Sequence, residues 1–223
     1  MFALNLDGRE VVLKITDDPR RRAGAVLELE LLADPRSPLR EFLPDHLAGS
    51  VTSGAVYLLL EAHHPYPPGV ELSEPDWLLL AHCLGRLHRS PFPRYPPLPL
   101  RAWLSDLQVS RALDRWSDHG LAGLARRGAR LLAALHDQPA LLAAAVTHGD
   151  CHTENLARAP DGRPRWLDWQ DACSSDGLDD LVFLWERAEF AGAGPPRAAM
   201  VDRLRRLVEL GTDDGSGEGG TGQ

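Results

Sequence analysis

Two short apolar runs, FALNL and EVVLKIT, flank Asp7 and Gly8 at the start of the chain. An Asp-Gly pair tolerates the positive φ of a tight turn, so the spacing predicts a hairpin over residues 2–16 with Lys14 on its second strand. From Arg20 to Ala33, RRRAGAVLELELLA collects good helix formers with apolar residues on one face, and Pro35 and Pro38 stop the helix. SGAVYLLLEAHHP then supplies a mostly apolar strand from Ala55 to Glu61, the pattern of a strand buried on both faces. Strand, strand, helix, strand predicts a small α+β lobe over residues 1–63.

The pattern changes after His64. A proline-rich connector runs to Pro75, and Ser73 with Asp76 three residues on reads as a capping box opening a helix that continues through WLLLAHCLGRLH to Arg89. Residues 90–100 hold five prolines and predict an extended loop. Helical patterns cover 101–118 and 121–137, separated by Gly120; AAAV leads into a polar loop, WLDW at 166–169 is short and β-prone, and helices are expected near 177–190 and 196–210. This predicts a mainly helical second lobe over 64–210. The last segment, GTDDGSGEGGTGQ (211–223), has almost nothing apolar to bury and predicts a disordered tail.

Composition narrows the function classes. With 43% hydrophobic and 25% charged residues the chain has the mixture of a soluble globular protein. No run approaches the roughly 18 unbroken apolar residues of a membrane span, and MFALNLDGRE lacks the order of a signal peptide, which predicts a cytoplasmic protein without a membrane partner. Cys83, Cys151 and Cys173 are odd in number and without C-x-x-C spacing, so reduced thiols are expected. A net charge of −8 argues against nucleic acid as a partner, because neutralising phosphates takes a basic face. Within the 24 basic residues there is one lysine, Lys14, and the chain has two asparagines, Asn5 and Asn155. Arginine does not replace lysine where a compact ammonium is needed, which draws attention to Lys14.

The chemistry concentrates in His148-Gly149-Asp150-Cys151-His152-Thr153-Glu154-Asn155, followed by Asp168. Phosphoryl transfer uses one carboxylate to take the acceptor proton, and an amide oxygen with a second carboxylate to hold magnesium against the phosphates. Asp150, Asn155 and Asp168 stand in the order and spacing H-x-D-x-x-x-x-N followed by Asp that this task uses. His148 is read as shaping the loop through its ring hydrogen bonds. His148, Asp150, His152 and Asp168 also have the donor chemistry of a zinc or manganese hydrolase, a reading that leaves Asn155 and Lys14 without a part. Cys151, beside a carboxylate, is expected to be a bystander.

THGDCHTENL followed by WLDWQDACSSDGLDDLVFLW resembles the catalytic region of the aminoglycoside phosphotransferase family, whose relatives include choline, homoserine and sugar kinases. LAHCLGRLH also resembles the family's helix ending in Leu-His. The resemblance implies a two-lobed protein-kinase-like fold and a small-molecule kinase using magnesium and ATP or GTP. Its acceptor would be a hydroxyl of an aminoglycoside, a sugar or an amino alcohol. It implies Asp150 as catalytic base, Asn155 and Asp168 as magnesium ligands, Lys14 on the nucleotide phosphates and Asp180 as a brace for the catalytic loop. The partner of Lys14 is either Glu28 or Glu30, with Glu28 favoured. Glu61, Ala62 and His63 would lie at the hinge that meets the nucleotide base. Only Gly8 precedes Lys14, so the family's first strand and glycine-rich phosphate cover have no counterpart here. That departure leaves three expectations open: a true start upstream of Met1, a shortened active kinase, or a kinase-like nucleotide- or ligand-binding protein impaired in catalysis.

Overall fold

The computed structural model describes residues 1–93, 98, 106–136, 145–175 and 177–210. The hairpin forms as expected: β1 (Phe2–Leu6) and β2 (Arg9–Thr16) pair antiparallel, with Asp7 and Gly8 both at positive φ. Helix α1 (Arg22–Ala33) follows, and Ala25, Glu28, Leu31 and Leu32 form its buried face. Strand β3 (His46–Val51) went unread in the sequence. It carries Ala48, Gly49 and Ser50 and lies mostly exposed, so it has neither β propensity nor an alternating pattern; pairing with β4 (Val56–Glu61) makes it a strand. The sheet order is β1-β2-β4-β3, antiparallel throughout.

The expectation that this last strand is buried on both faces needs correcting. Val56, Leu58 and Leu60 are buried, whereas Tyr57, Leu59 and Glu61 are only half-buried. Helix α1 packs against β3 and β4, so one face of the sheet receives the helix and the other does not.

After the short strand β5 (His64–Pro65) comes α2 (Glu74–His88), opened by the capping box: the Asp76 carboxylate accepts from the Ser73 backbone N–H at 2.9 Å and from its hydroxyl at 2.5 Å. Trp77, Leu80, Leu84 and Leu87 bury one side of α2, which packs on α6 (Arg197–Leu210) and α5 (Leu178–Phe190). Helices α3 (Asp106–Asp118) and α4 (Ala122–His136) form a pair. Most of the proline-rich run, the first residues of the 101–118 pattern, residue 137, Asp176 and the 211–223 tail lie outside the described residues.

Short strands in the second lobe position the loops. β6 (Ala145–Thr147) pairs with β9 (Cys173–Ser175), and β7 (Leu156–Arg158) pairs with β8 (Pro164–Trp166) and with β5. The segments 148–155 and 167–172 therefore leave adjacent strand ends together. Trp166 ends β8, so the β-prone WLDW run contributes one strand residue, and Asp168 turns out of it at φ 62. The lobes are tied by hydrogen bonds: the Trp166 backbone N–H donates to the Phe42 carbonyl at 2.9 Å, and the Arg165 guanidinium donates to the carbonyls of Arg40 and Leu43 at 2.9 and 2.6 Å.

Helix α1 also rests on the turn Trp169–Asp171, where a side chain at Gly24 would collide with the Gln170 carbonyl oxygen. Alanine normally stabilises a helix interior over glycine by about 1 kcal/mol. At Gly24 the opposite is expected, a loss of about 1–3 kcal/mol in urea unfolding, because backbone must move. Gly123→Ala, where an added Cβ meets nothing within 4 Å, should be neutral or stabilising in the same assay.

Candidate active site

Lys14 lies in the middle of β2 with its ammonium under α1, only 8% exposed. Nζ stands 2.6 Å from Glu28 and 2.8 Å from Asp168, so one cation joins the sheet, the helix and the second lobe. Glu28 is fully buried and also accepts the Trp169 backbone N–H at 3.2 Å. Of the two glutamates considered, it is Glu28 that meets Lys14. Burial pushes the Glu28 carboxyl up, against the pull of Lys14 beside it.

Asp150 sits across the loop with its carboxyl group open to solvent. The Asn155 amide Nδ2 donates to the Asp150 carbonyl at 3.0 Å and to its Oδ2 at 3.2 Å. That tether uses the nitrogen end of Asn155 and leaves Oδ1 as the end suited to a hard cation. The Leu167 N–H donates to the Asn155 carbonyl at 2.8 Å, which holds Asp168 next to the loop.

His148 is buried and takes the structural part. Its Nε2 donates to the Leu167 carbonyl at 2.8 Å, its Nδ1 accepts the Asp150 N–H at 3.4 Å, and the ring stands edge-on to Trp169 at 4.8 Å. Both nitrogens are spent. Burial pushes its pKa down, in keeping with a neutral ring. Asp180 braces the same turn: its two oxygens accept the backbone N–H groups of His148 at 2.9 Å and Gly149 at 2.8 Å, and His88 Nε2 lies 3.0 Å away. Burial opposes its ionisation, but the His88 contact and the backbone donors outweigh it and hold the carboxyl below the usual range. Gly149 is at φ 85, and a Cβ there would strike the Asp171 carbonyl oxygen.

In the sequence His88 stands only as the end of a helix pattern. Its contact with Asp180 spans 92 positions, and nothing local announces it. His152 lies with Nε2 3.5 Å from the Asp150 carboxylate. Glu61, Ala62 and His63 fall apart from this cluster, where β4 leaves the sheet. The Glu61 N–H donates to the Asp45 carbonyl at 2.9 Å and the Ala62 N–H to the Glu10 carbonyl at 3.0 Å. Neither amide is thus available as a donor to a nucleotide base. His63 Nε2 accepts the Asp45 N–H at 3.2 Å. Cys151 is buried and accepts a hydrogen bond from Trp166 Nε1 at 3.1 Å; burial holds its thiol pKa high and the side chain inert.

Among the described residues no three His, Cys, Asp or Glu side chains converge as a metal cage. With both His148 nitrogens engaged, the hydrolase arrangement of His148, Asp150, His152 and Asp168 is not formed. An amide oxygen and a carboxylate facing a lysine fit a cation shared with phosphates.

The family model described as "Phosphotransferase enzyme family" matches residues 1–213. The chain belongs to this family. It is a phosphotransferase of the small-molecule kinase type, with the two-lobed kinase-like fold. Its solved neighbours agree on that fold. An aminoglycoside-3'-phosphotransferase of type VIII superposes with TM-score 0.58 at 24% identity, over 97% of this chain and 83% of that one. An aminoglycoside phosphotransferase from Alicyclobacillus acidocaldarius gives TM-score 0.61 at 17% identity over 92% and 70%. APH(3'')-Id from Streptomyces rimosus, in complex with ADP and streptomycin, gives 0.57 at 18% over 93% and 84%. Comparison with curated proteins returned no match. Among the described residues of this phosphotransferase, no helix is long and apolar enough to cross a membrane.

Burial pushes His148 below its ordinary pKa of 6.5, and does the same to His46, His63 and His82. The unfolded chain binds protons at these rings first, so their stabilisation is complete above the unfolded value and is lost as pH falls below it. Glu28, raised by burial, acts in the opposite sense at the acidic end. Urea midpoints measured at about pH 5.5 and about pH 7.5 should show a smaller acid-side loss in His148→Gln than in the wild type.

Proposed function

We propose that this phosphotransferase moves the γ-phosphoryl group of ATP or GTP to a hydroxyl of a small molecule, with Asp150 as the base that takes the hydroxyl proton. The observation that carries this reading is the pairing of a solvent-open Asp150 carboxylate, tethered by Asn155 at 3.2 Å, with Asp168 on the neighbouring loop, which meets Lys14 of β2 at 2.8 Å. Lys14, held against Glu28, would meet the nucleotide phosphates. Asn155 Oδ1 and the Asp168 carboxylate would hold magnesium, which when bound neutralises charge on the phosphates. The charge balance supports a cation: the Glu28 and Asp168 carboxylates face a single ammonium. Glu61, Ala62 and His63 remain the proposed edge of the base pocket, through groups other than the Glu61 and Ala62 amides.

Residues 1–63 and 64–210 form the two lobes of this reading, acting in the cytoplasm without nucleic acid or membrane as partner. The acceptor class is an aminoglycoside, a sugar or an amino alcohol. Solved neighbours were captured with streptomycin and with hygromycin B, and a choline kinase from Streptococcus pneumoniae is among them, which supports that range. One observation favours a second reading, nucleotide binding without turnover: the β1–β2 turn is only Asp7 and Gly8, with no run of glycines to wrap phosphates.

ADP release from ATP and magnesium, measured with streptomycin, hygromycin B and choline as acceptors, separates the two readings. Asp150→Asn should lower kcat by about 10²-fold or more while nucleotide KM stays near the wild-type value. Undiminished turnover in that variant would remove Asp150 from the mechanism. Lys14→Arg should raise nucleotide KM, because a guanidinium fork does not fit where a compact ammonium meets two carboxylates. A KM unchanged in Lys14→Arg would detach the lysine from the nucleotide.

A further inference from the structure

His152 is a buried residue of the loop whose contacts the roles above do not use. Its side chain is 9% exposed, and Nδ1 is fully buried with no hydrogen-bond partner. A buried polar atom left in that state calls for a reason. The ring is placed between two carboxylates: Nε2 is 3.5 Å from Asp150 Oδ2, and Nδ1 is 3.6 Å from Glu154 Oε2. That same Glu154 oxygen is taken by Arg187, at the end of α5, at 3.1 Å. A shift of about half an ångström turns either histidine contact into a hydrogen bond, and active-site hydrogen bonds commonly tighten when substrate is bound.

Among the described residues, the side-chain groups in contact with the Asp150 carboxylate, Asn155 Nδ2 at 3.2 Å and His152 Nε2 at 3.5 Å, come to the same oxygen, Oδ2. Oδ1 is the atom they leave for an acceptor. We infer that His152 is a positioning residue for Asp150, aimed by Glu154 and Arg187, which fixes Oδ2 so that Oδ1 faces the acceptor hydroxyl. The inference rests on the proposed role of Asp150. In the transfer step the hydroxyl proton passes to Oδ1 as the acceptor oxygen bonds the γ-phosphorus. The bond from that phosphorus to the bridging oxygen breaks, and the electron pair leaves with the nucleoside diphosphate. His152 neither gains nor loses a bond in this step; it sets the angle at which the carboxylate meets the hydroxyl, so its loss should appear in kcat and not in nucleotide binding.

The test uses the full chain with ATP and magnesium, reading ADP release with whichever of streptomycin, hygromycin B or choline is accepted, and with water as acceptor otherwise. His152→Phe should lower kcat about 10- to 100-fold, the range for lost partners just outside a reacting group, with nucleotide KM unchanged. His152→Gln, which keeps an N–H near the Nε2 position, should recover part of that loss. Glu154→Gln should lower kcat several-fold in the wild type and add nothing in His152→Phe, because the two act through one ring. If His152→Phe fails to fold, the recovery is read from His152→Gln against Glu154→Gln, whose combined loss should be smaller than the product of the single losses. Full activity in His152→Phe, a Gln variant no better than Phe, or multiplying losses in the double variants would each overturn the inference while leaving Asp150 as base. Turnover that survives Asp150→Asn, or a wild type that releases no ADP, would instead end the reading on which the inference stands, and the inference with it.

Discussion

A single ammonium group buried between two carboxylates is the constraint on which the structure turns. Lys14 comes from the sheet, Glu28 from α1 and Asp168 from the second lobe, so their contacts of 2.6 and 2.8 Å fix three elements relative to one another. Taking these charges out of water is costly, and it is tolerated only where the geometry is close and further hydrogen bonds complete it. The Trp169 N–H on Glu28 is one such bond, and the packing of α1 through Gly24 onto the Trp169–Asp171 turn supplies the close approach. Replacing Lys14 would leave the fully buried Glu28 carboxyl without its cation.

A second buried carboxylate does for the 148–155 loop what Glu28 does for the lysine. Asp180 accepts two consecutive backbone N–H groups and meets His88, so the turn at His148 and Gly149 is held from α2 and α5 together. His148 passes that order on to the Leu167 carbonyl, one residue before Asp168. The loop that carries Asp150 and the loop that carries Asp168 are thus fixed from the same buried point, with the Asp150 carboxylate left open to solvent at their edge. Such an arrangement spends its rigidity on fully buried groups and keeps the chemistry accessible.

Membership of the phosphotransferase family and the kinase-like fold agree with a site built chiefly from placement. Positioning an acceptor, a nucleotide and a cation asks for little covalent chemistry from the protein and much from placement.

The sequence by itself determined the hairpin, the boundaries of α1, α2, α5 and α6 to within a few residues, the capping box at Ser73, and the set Lys14, Asp150, Asn155 and Asp168 in its order. These are legible because periodicity, turn chemistry and short-range spacing are local properties of a chain. Tertiary structure alone decided between Glu28 and Glu30, made a strand of His46–Val51, joined His88 to Asp180 and set His152 between Asp150 and Glu154. It also engaged the Glu61 and Ala62 amides within the first lobe, where the sequence suggested a base might find them. The physical reason is the same in most of these cases: the deciding partner lies on another element, and burial and hydrogen bonding across that distance are not written in any window of neighbouring residues.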